Sequence, residues 1–209
     1  MLALFLLVAS THFVALLSPG PDFFLLLRSA LLKGVRHADG CAVGIALANL
    51  SSMLLVLLAI SAMPSSEGAM WMVLQILGGA YFVWIGGRAL LAQRMLELPE
   101  ALPVGQGSWR VGLGEGFLAS SLNPKLPIFY AGLFGVLRNS AMPEWGLLLS
   151  MGWMTTVVLV WDMALVRLLG HGRWRRWLQQ RVGTLDRLCG CLLLLLGGWL
   201  MVSASVAFQ

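Results

Sequence analysis

The chain has 209 residues, of which 59% are hydrophobic and only 11% are charged. Because an ordinary soluble domain carries about 25% charged residues, this composition excludes a soluble globular protein, whose surface could not be solvated. The 14 basic and 9 acidic residues give a formal net charge of +5. Their positions along the chain are more informative than this total.

The apolar residues fall into runs that are long enough to cross a bilayer as helices, for which about 20 residues are needed. The predicted spans, numbered 1 to 6 in chain order, are 2–27, 41–62, 70–91, 111–137, 146–169 and 188–207. Only short loops remain between them. We therefore predict an all-α integral membrane protein with a single transmembrane domain over residues 1–209.

The basic residues are concentrated in alternate loops. Three lie between spans 1 and 2, three in the loop between spans 3 and 4 or the last turn of span 3, and six in the loop between spans 5 and 6 or the last turn of span 5, which makes twelve of the fourteen. Of the other two, Arg138 follows span 4 and Lys125 lies inside it. By the positive-inside rule, the three basic loops are cytoplasmic and both termini lie outside.

An internal repeat relates the two halves of the chain. Span 3 carries Gly79-Ala80 and Gly86-Gly87, and span 6 carries Gly190-Cys191 and Gly197-Gly198 at an offset of 111 residues. Pro19 in span 1 and Pro124 in span 4 interrupt their spans at a similar offset, 105 residues. We predict two three-helix repeats, 1–92 and 111–207, joined by a cytoplasmic linker over 93–110. An odd number of spans per repeat inverts the second repeat, and inverted repeats with broken helices are typical of transporters.

The prolines predict breaks in spans 1 and 4. Pro19 and Pro21 lack amide hydrogens, so the carbonyls of Ala15 and Leu17 lose their intrahelical donors. Pro124 and Pro127 have the same effect in span 4. Within a membrane, unpaired carbonyls are tolerated only inside protein or along a watery cavity. Two breaks, one in each repeat, therefore predict a shared polar cavity.

Charged residues lie at both predicted breaks. Asp22 and Lys125 would each cost roughly 2.5–3.5 kcal/mol at a helix centre, so we expect them to pair with each other or with the two ends of a zwitterion. The first alternative is a structural salt bridge that locks the halves together. Asp162 is a third charge within the spans, with Arg167 five residues away as an alternative ion-pair partner. His12 is interpreted as a hydrogen-bonded packing residue rather than a proton carrier.

These positions form the predicted site. The substrate-binding residues are Pro19, Gly20, Pro21, Asp22, Asn123, Pro124 and Lys125. The chain has no phosphate-binding loop of the Walker type, so an ion gradient must supply the energy for transport. A carboxylate in a low-dielectric environment can take up and release a proton near neutral pH. Asp22 is the favoured proton-coupling residue and Asp162 the second candidate.

We predict neither a metal site nor any other cofactor. The three cysteines, Cys41, Cys189 and Cys191, lie in or beside apolar runs, and we recognise no ligand cluster around them. Small residues recur every four positions at Gly40, Gly44 and Ala48 in span 2, and at Gly112, Gly116 and Ser120 in span 4. Such stripes permit close helix contact. They predict packing inside the bundle, with a homodimer interface as the alternative.

At these motifs the chain resembles the lysine-exporter (LysE) superfamily. The matching segments are Ser18-Pro19-Gly20-Pro21-Asp22-Phe23-Phe24, Asn123-Pro124-Lys125, and Gly78-Gly79-Ala80-Tyr81 followed by Trp84 and Gly86. The likeness is closest to the homoserine/threonine-resistance branch, and the opening segment with His12 is most like its threonine exporters. The resemblance implies a multi-pass protein of the bacterial inner membrane that exports amino acids by proton antiport. Its partners would be the amino acid, protons and lipid, without nucleic acid. Pro127 departs from the expected pattern.

Two other classes of function compete with this interpretation. An intramembrane enzyme would need a nucleophile and base, or a metal cluster, and Asp22 with Asp162 only imitates an aspartyl dyad. A non-transporting scaffold or assembly subunit would not need two charged helix breaks in equivalent positions. The sequence therefore favours a transporter over a scaffold and predicts that the protein is not an enzyme.

Overall fold

The structure, a computed structural model, describes residues 2–17, 20–62, 68–91, 107–139, 143–169 and 171–206. All regular secondary structure within these ranges is helical. The helices are α1 (Leu2–Leu17), α2 (Pro21–Leu32), α3 (Val35–Ser61), α4 (Gly68–Leu91), α5 (Trp109–Ser121), α6 (Lys125–Asn139), α7 (Glu144–Leu169) and α8 (Gly172–Val206). The predicted all-α class is confirmed.

Several of these helices are suited to a membrane. Val35–Ser61, Trp145–Leu169 and Gly183–Ala204 are long and apolar enough to cross a bilayer, and α1 and α2 together form a fourth candidate that is bent by 52°. In α4, the stretch Ile76–Leu91 is apolar but shorter. The chain is thus a multi-pass membrane protein in outline. The crossing of the bilayer by all six predicted spans stays a prediction.

The first predicted break separates α1 from α2. Gly20 is extended, and Pro21 opens α2 at its first position, where a missing amide does no harm because the first-turn amides of a helix have no intrahelical acceptor. Ser18 and Pro19 lie outside the described residues. Asp22 follows in the first turn of α2, where the partial positive charge of the helix N-terminus favours a carboxylate.

The second predicted break separates α5 from α6. The side-chain oxygen of Asn123 accepts a hydrogen bond from the amide of Lys125 at 3.1 Å, which caps the start of α6. The carbonyl of Ser120 accepts from the amide of Asn123 at 3.0 Å. Pro127 falls in the first turn of α6, so its missing amide removes no helical hydrogen bond. The departure at Pro127 is therefore compatible with a regular helix.

Helices α3 and α5 pack through the two stripes of small residues. A Cβ atom on Gly44 would collide with the carbonyl oxygen of Leu113, and one on Gly112 with that of His37. Both obstacles are backbone atoms, which a side-chain rotation cannot move away. The stripes therefore bring two backbones together within the protein, as the first of the two interpretations predicted, and they are not free to form a dimer interface.

Helices α4 and α8 meet through the glycine pairs of spans 3 and 6. A Cβ on Gly79 would approach the carbonyl oxygen of Gly197 to 2.7 Å, and one on Gly197 would approach that of Gly79 to 2.5 Å. Gly86 and Gly190 stand in the same reciprocal relationship, at 2.6 and 2.8 Å. The two helices are consequently antiparallel. Gly79 matches Gly190 in the sequence repeat but contacts Gly197, and Gly86 matches Gly197 but contacts Gly190.

Two apolar clusters form the interior. One is built around Tyr130 and Phe134 of α6 and reaches α1, α4, α7 and α8. The other is built around Leu26 of α2 and Ile45 of α3 and reaches α7. The cavity described next is lined by residues from both clusters, so the packing of the bundle leaves a polar space between them.

Candidate functional site

Residues of both helix breaks line one cavity. Its empty volume is about 630 Å³ including the part that is open to solvent. It is bounded by α1, α2, α3, α6 and α7, with Asn123 in the second break. The polar side chains in its lining are those of His12, Asp22, Asn49, Asn123, Lys125, Tyr130, Trp161 and Asp162. The described residues thus include a cavity that both breaks share, with these polar side chains in an otherwise apolar lining.

Lys125 joins the second break to the first. Its ammonium donates a hydrogen bond to the carbonyl oxygen of Ala15 at 2.8 Å. This carbonyl lies four residues before Pro19 and so has no intrahelical donor. A lysine from one broken helix therefore satisfies a carbonyl that the proline of the other broken helix has released.

Asp22 makes the converse connection from the first break to the second. Its Oδ2 atom accepts a hydrogen bond from the hydroxyl of Ser120 at 3.1 Å, and the side chain of Asn123 lies near the carboxylate. Lys125 lies close enough for its charge to act on Asp22. The buried Oδ1 atom has no hydrogen-bond partner among the described residues, which leaves an acceptor available in the cavity.

Asp162 lies in the cavity wall on α7 and is only 4% exposed. Its Oδ2 atom also lacks a hydrogen-bond partner within the described ranges, and its charge and that of Asp22 act on each other. Arg167 binds the carboxylate of Asp39 instead, through contacts of 2.5 and 3.0 Å. Pairing with Arg167 was the alternative role for Asp162, and the structure gives that arginine another partner.

A chain of hydrogen bonds that the sequence did not indicate runs along one side of the cavity. Asn49 donates to the carbonyl of Ile45 at 2.9 Å, and Tyr130 donates to the side-chain oxygen of Asn49 at 2.7 Å. The Nε2 atom of His12 lies 3.4 Å from the Tyr130 oxygen. Tyr130 was overlooked because one tyrosine in an apolar run has the appearance of a packing residue. Its hydrogen-bonding contacts come from two distant segments, α1 and α3.

The predicted site residues are thus brought together to different degrees. Gly20, Asp22, Asn123 and Lys125 line the cavity, as does Asp162. Pro21 and Pro124 are exposed and contribute through the backbone turns that they impose. Pro19 lies outside the described residues. Their participation in substrate binding stays a prediction.

A second polar cluster occupies the end of the bundle that carries the basic loops. Glu115 binds the ammonium of Lys33 through both oxygens, at 2.7 and 2.8 Å, and the Nε2 atom of His37 at 3.1 Å. Cys41 lies one helical turn after His37, and the ligand atoms of these two and Glu115 are within 4.8 Å of one another. The four-residue spacing of His37 and Cys41 is a sequence signal that was overlooked. Because Lys33 already engages both Glu115 oxygens, the cluster is an ion-pair network.

Comparison with known families identifies the chain. The family model for LysE type translocators matches residues 13–204. The chain belongs to this family. The resemblance that rests on the Pro-Gly-Pro-Asp and Asn-Pro-Lys motifs is therefore confirmed over almost the whole chain, and membership places the protein among translocators rather than enzymes.

Individual relatives are consistent with the family. The threonine efflux protein of Escherichia coli K12 is 27% identical over 196 residues, which cover 88% of this chain and 94% of the relative. The threonine efflux protein of Salmonella typhi is 28% identical over 197 residues with the same coverage. The leucine efflux protein of Klebsiella pneumoniae is 27% identical over 119 residues, 57% of this chain and 56% of the relative. No solved structure matches the chain.

Proposed function

We propose that this LysE-family protein exports small neutral amino acids, with threonine and homoserine as the first candidates, across the bacterial inner membrane by proton antiport. One observation carries the proposal: the two helix breaks place opposite charges, Asp22 and Lys125, in the lining of one cavity. The names of the threonine efflux relatives support the choice of substrate.

A zwitterionic amino acid matches this arrangement. Its carboxylate and ammonium groups lie a few ångströms apart and need partners of opposite charge in a site shielded from water. In the proposed mode, Lys125 binds the carboxylate, and the unpartnered Oδ1 of Asp22 binds the ammonium. Gly20, Pro21, Asn123 and Pro124 hold these two side chains at the breaks, and the same role is proposed for Pro19.

Proton coupling follows from competition for the negative charge. Asp22 and Asp162 act on each other electrostatically, and Lys125 in the same lining supplies one positive charge for these two carboxylates. In a low-dielectric cavity the second carboxylate is ionised only if a further positive charge compensates it. A proton and the substrate ammonium can each supply that positive charge. If their binding is mutually exclusive, outward movement of the amino acid is exchanged for inward movement of a proton.

The proposed architecture is a pair of inverted repeats, 1–92 and 111–207, joined through 93–110. The reciprocal contacts of α4 with α8 support it, because a two-fold axis that exchanges Gly79 with Gly190 also exchanges Gly86 with Gly197. Under that operation the observed pair Gly79–Gly197 becomes the observed pair Gly190–Gly86. Inverted repeats allow one half to rock against the other around a fixed site.

The test is transport by purified protein in lipid vesicles. Vesicles loaded with threonine should exchange it for external labelled threonine, and a pH gradient that is acidic on the side facing the periplasm should drive net transport to that side. Serine, homoserine, valine, leucine and lysine would be compared in the same assay. A protein that exchanges none of these amino acids would contradict the proposal and would favour a non-transporting scaffold.

A further inference from the structure

One buried nitrogen atom of the cavity lining has no role in the proposed binding of the substrate's charged groups. The Nδ1 atom of His12 has no hydrogen-bond partner among the described residues, although the side chain is only 4% exposed and lines the cavity. Buried polar atoms are almost always hydrogen-bonded. The exception raises the question of which group fills this position.

The neighbouring hydrogen bonds determine the chemical character of this atom. Asn49 uses its amino group toward the carbonyl of Ile45, so its oxygen is the acceptor for Tyr130. The single phenolic hydrogen of Tyr130 is thereby engaged, and toward His12 the phenol oxygen can only accept. The proton on His12 therefore lies on Nε2, which faces Tyr130 at 3.4 Å. In a neutral imidazole the other nitrogen, Nδ1, is then an acceptor.

Aromatic rings surround the side chain of His12. The aromatic rings of Phe129, Tyr130 and Trp153 lie around it, with centroids 5.9, 6.2 and 6.1 Å away. Nδ1 is thus a buried acceptor without a partner among the described residues, on a side chain that lines the cavity.

We propose that Nδ1 of His12 accepts a hydrogen bond from the side-chain hydroxyl of the transported amino acid and so selects hydroxylated substrates over aliphatic ones. This inference rests on the proposed function, in which Lys125 and Asp22 bind the two charged groups. When Lys125 and Asp22 bind the carboxylate and the ammonium, the substrate side chain is the part that can contact His12 in the cavity lining. Threonine and homoserine carry a hydroxyl donor, whereas valine and leucine leave the acceptor unpaired.

The size of the effect follows from the penalty for an unpaired buried group. A site that hydrogen-bonds a substrate hydroxyl rejects the analogue without it more strongly than an apolar pocket rejects a missing methylene group. Threonine and valine have nearly the same shape and differ by this hydroxyl. We expect the unmodified protein to transport threonine at least about tenfold more efficiently than valine.

The experiment measures the ratio of threonine to valine exchange in vesicles for the unmodified protein, His12→Phe and Tyr130→Phe. His12→Phe keeps an aromatic ring and removes the acceptor, so the ratio should fall close to one through loss of threonine exchange, with valine exchange retained. Tyr130→Phe removes the oxygen that orients the imidazole, so the ratio should fall by a smaller factor. Leu6→Ala, at an exposed position of the same helix outside the cavity lining, should leave the ratio unchanged.

The failure of this inference differs from that of the proposed function. If the unmodified protein exchanges amino acids but its ratio is near one, or if His12→Phe leaves the ratio unchanged, His12 does not select the hydroxyl and the exporter proposal stands. If His12→Phe exchanges neither amino acid, the result for Tyr130→Phe is used instead. An unchanged threonine-to-valine ratio in Tyr130→Phe, or loss of both exchange activities in that variant, overturns the inference. If the unmodified protein exchanges no amino acid, the proposed function itself fails.

Discussion

The ammonium of Lys125 donates a hydrogen bond to the carbonyl oxygen of Ala15 at 2.8 Å. This contact spans 110 residues of sequence and joins the two broken helices at the places where their backbones are interrupted. Because Pro19 cannot donate to Ala15, the carbonyl needs a donor from elsewhere, and the lysine needs an acceptor inside the bundle. Each break satisfies a requirement that the other creates.

The first prediction concerns Lys125. Replacing it with Ala removes the only lysine or arginine in the described cavity lining and leaves the Ala15 carbonyl without this donor. We expect threonine exchange to fall at least about a hundredfold, because a buried charge-assisted contact to the substrate carboxylate is lost. Lys33→Ala is the matched control, since that lysine binds Glu115 at 43% exposure. Near-normal exchange by the Lys125 variant would assign it a purely structural role.

The second prediction separates substrate binding from proton coupling. Asp162→Asn keeps the shape of the buried side chain and removes its ability to carry a proton. We expect exchange of labelled threonine to persist, while acceleration by a pH gradient disappears. Asp22→Asn should impair exchange as well, because it also removes the partner of the substrate ammonium. Asp39→Asn, whose carboxylate binds Arg167, is the control. Gradient-driven transport in both Asp162→Asn and Asp22→Asn would exclude coupling through these acids.

The third prediction concerns the contact of α3 with α5. Gly112→Ala places a methyl group against the backbone carbonyl of His37, whereas Gly114→Ala on the same helix meets open space. We expect the first substitution to destabilise the purified protein by about 1–3 kcal/mol. The second should be neutral or slightly stabilising, because Ala favours helix by about 1 kcal/mol over Gly. Thermal unfolding in detergent provides the comparison, and equal effects of the two variants would argue against the close contact.

The fourth prediction concerns orientation in the membrane. In a background without native cysteines, Arg176→Cys in the basic segment should react with an impermeant maleimide only after the inner membrane is opened. Phe208→Cys should react in cells with the inner membrane intact, because the six predicted spans and the positive-inside rule would place the C-terminus outside. Labelling of Arg176→Cys in intact cells would reverse the orientation. Protection of Phe208→Cys would instead indicate an odd number of spans.

The sequence indicated the elements of this site better than its assembly. Prolines have a local effect on helices, so the breaks before Pro21 and after Ser121 could be predicted from sequence alone. The meeting of Asp22 with Ser120, and of Lys125 with Ala15, depends on how distant helices pack. The internal repeat indicated that the two breaks occupy equivalent positions in their repeats. Equivalence of position does not by itself predict that the two breaks contact each other.

Some features could not be recognised because the chemistry arises only in three dimensions. The orientation of His12 is fixed by Tyr130, 118 residues away, through a bond to Asn49. Likewise, Arg167 has Asp162 five residues away in sequence but binds Asp39 across 128 residues. Spacing along α7 therefore did not predict the ion-pair partner of Arg167, because the packing of α3 against α7 brings Asp39 to it.

Equilibrium binding of labelled threonine to the purified protein tests the central claim, that the two helix breaks together form the amino-acid site. It requires no assumption about coupling or direction of transport. The unmodified protein, Lys33→Ala and Asp39→Asn should bind threonine with similar affinity, whereas Lys125→Ala and Asp22→Asn should each lose at least about tenfold. Threonine binding that is undiminished in both break variants would show that the amino acid binds elsewhere and would contradict the account.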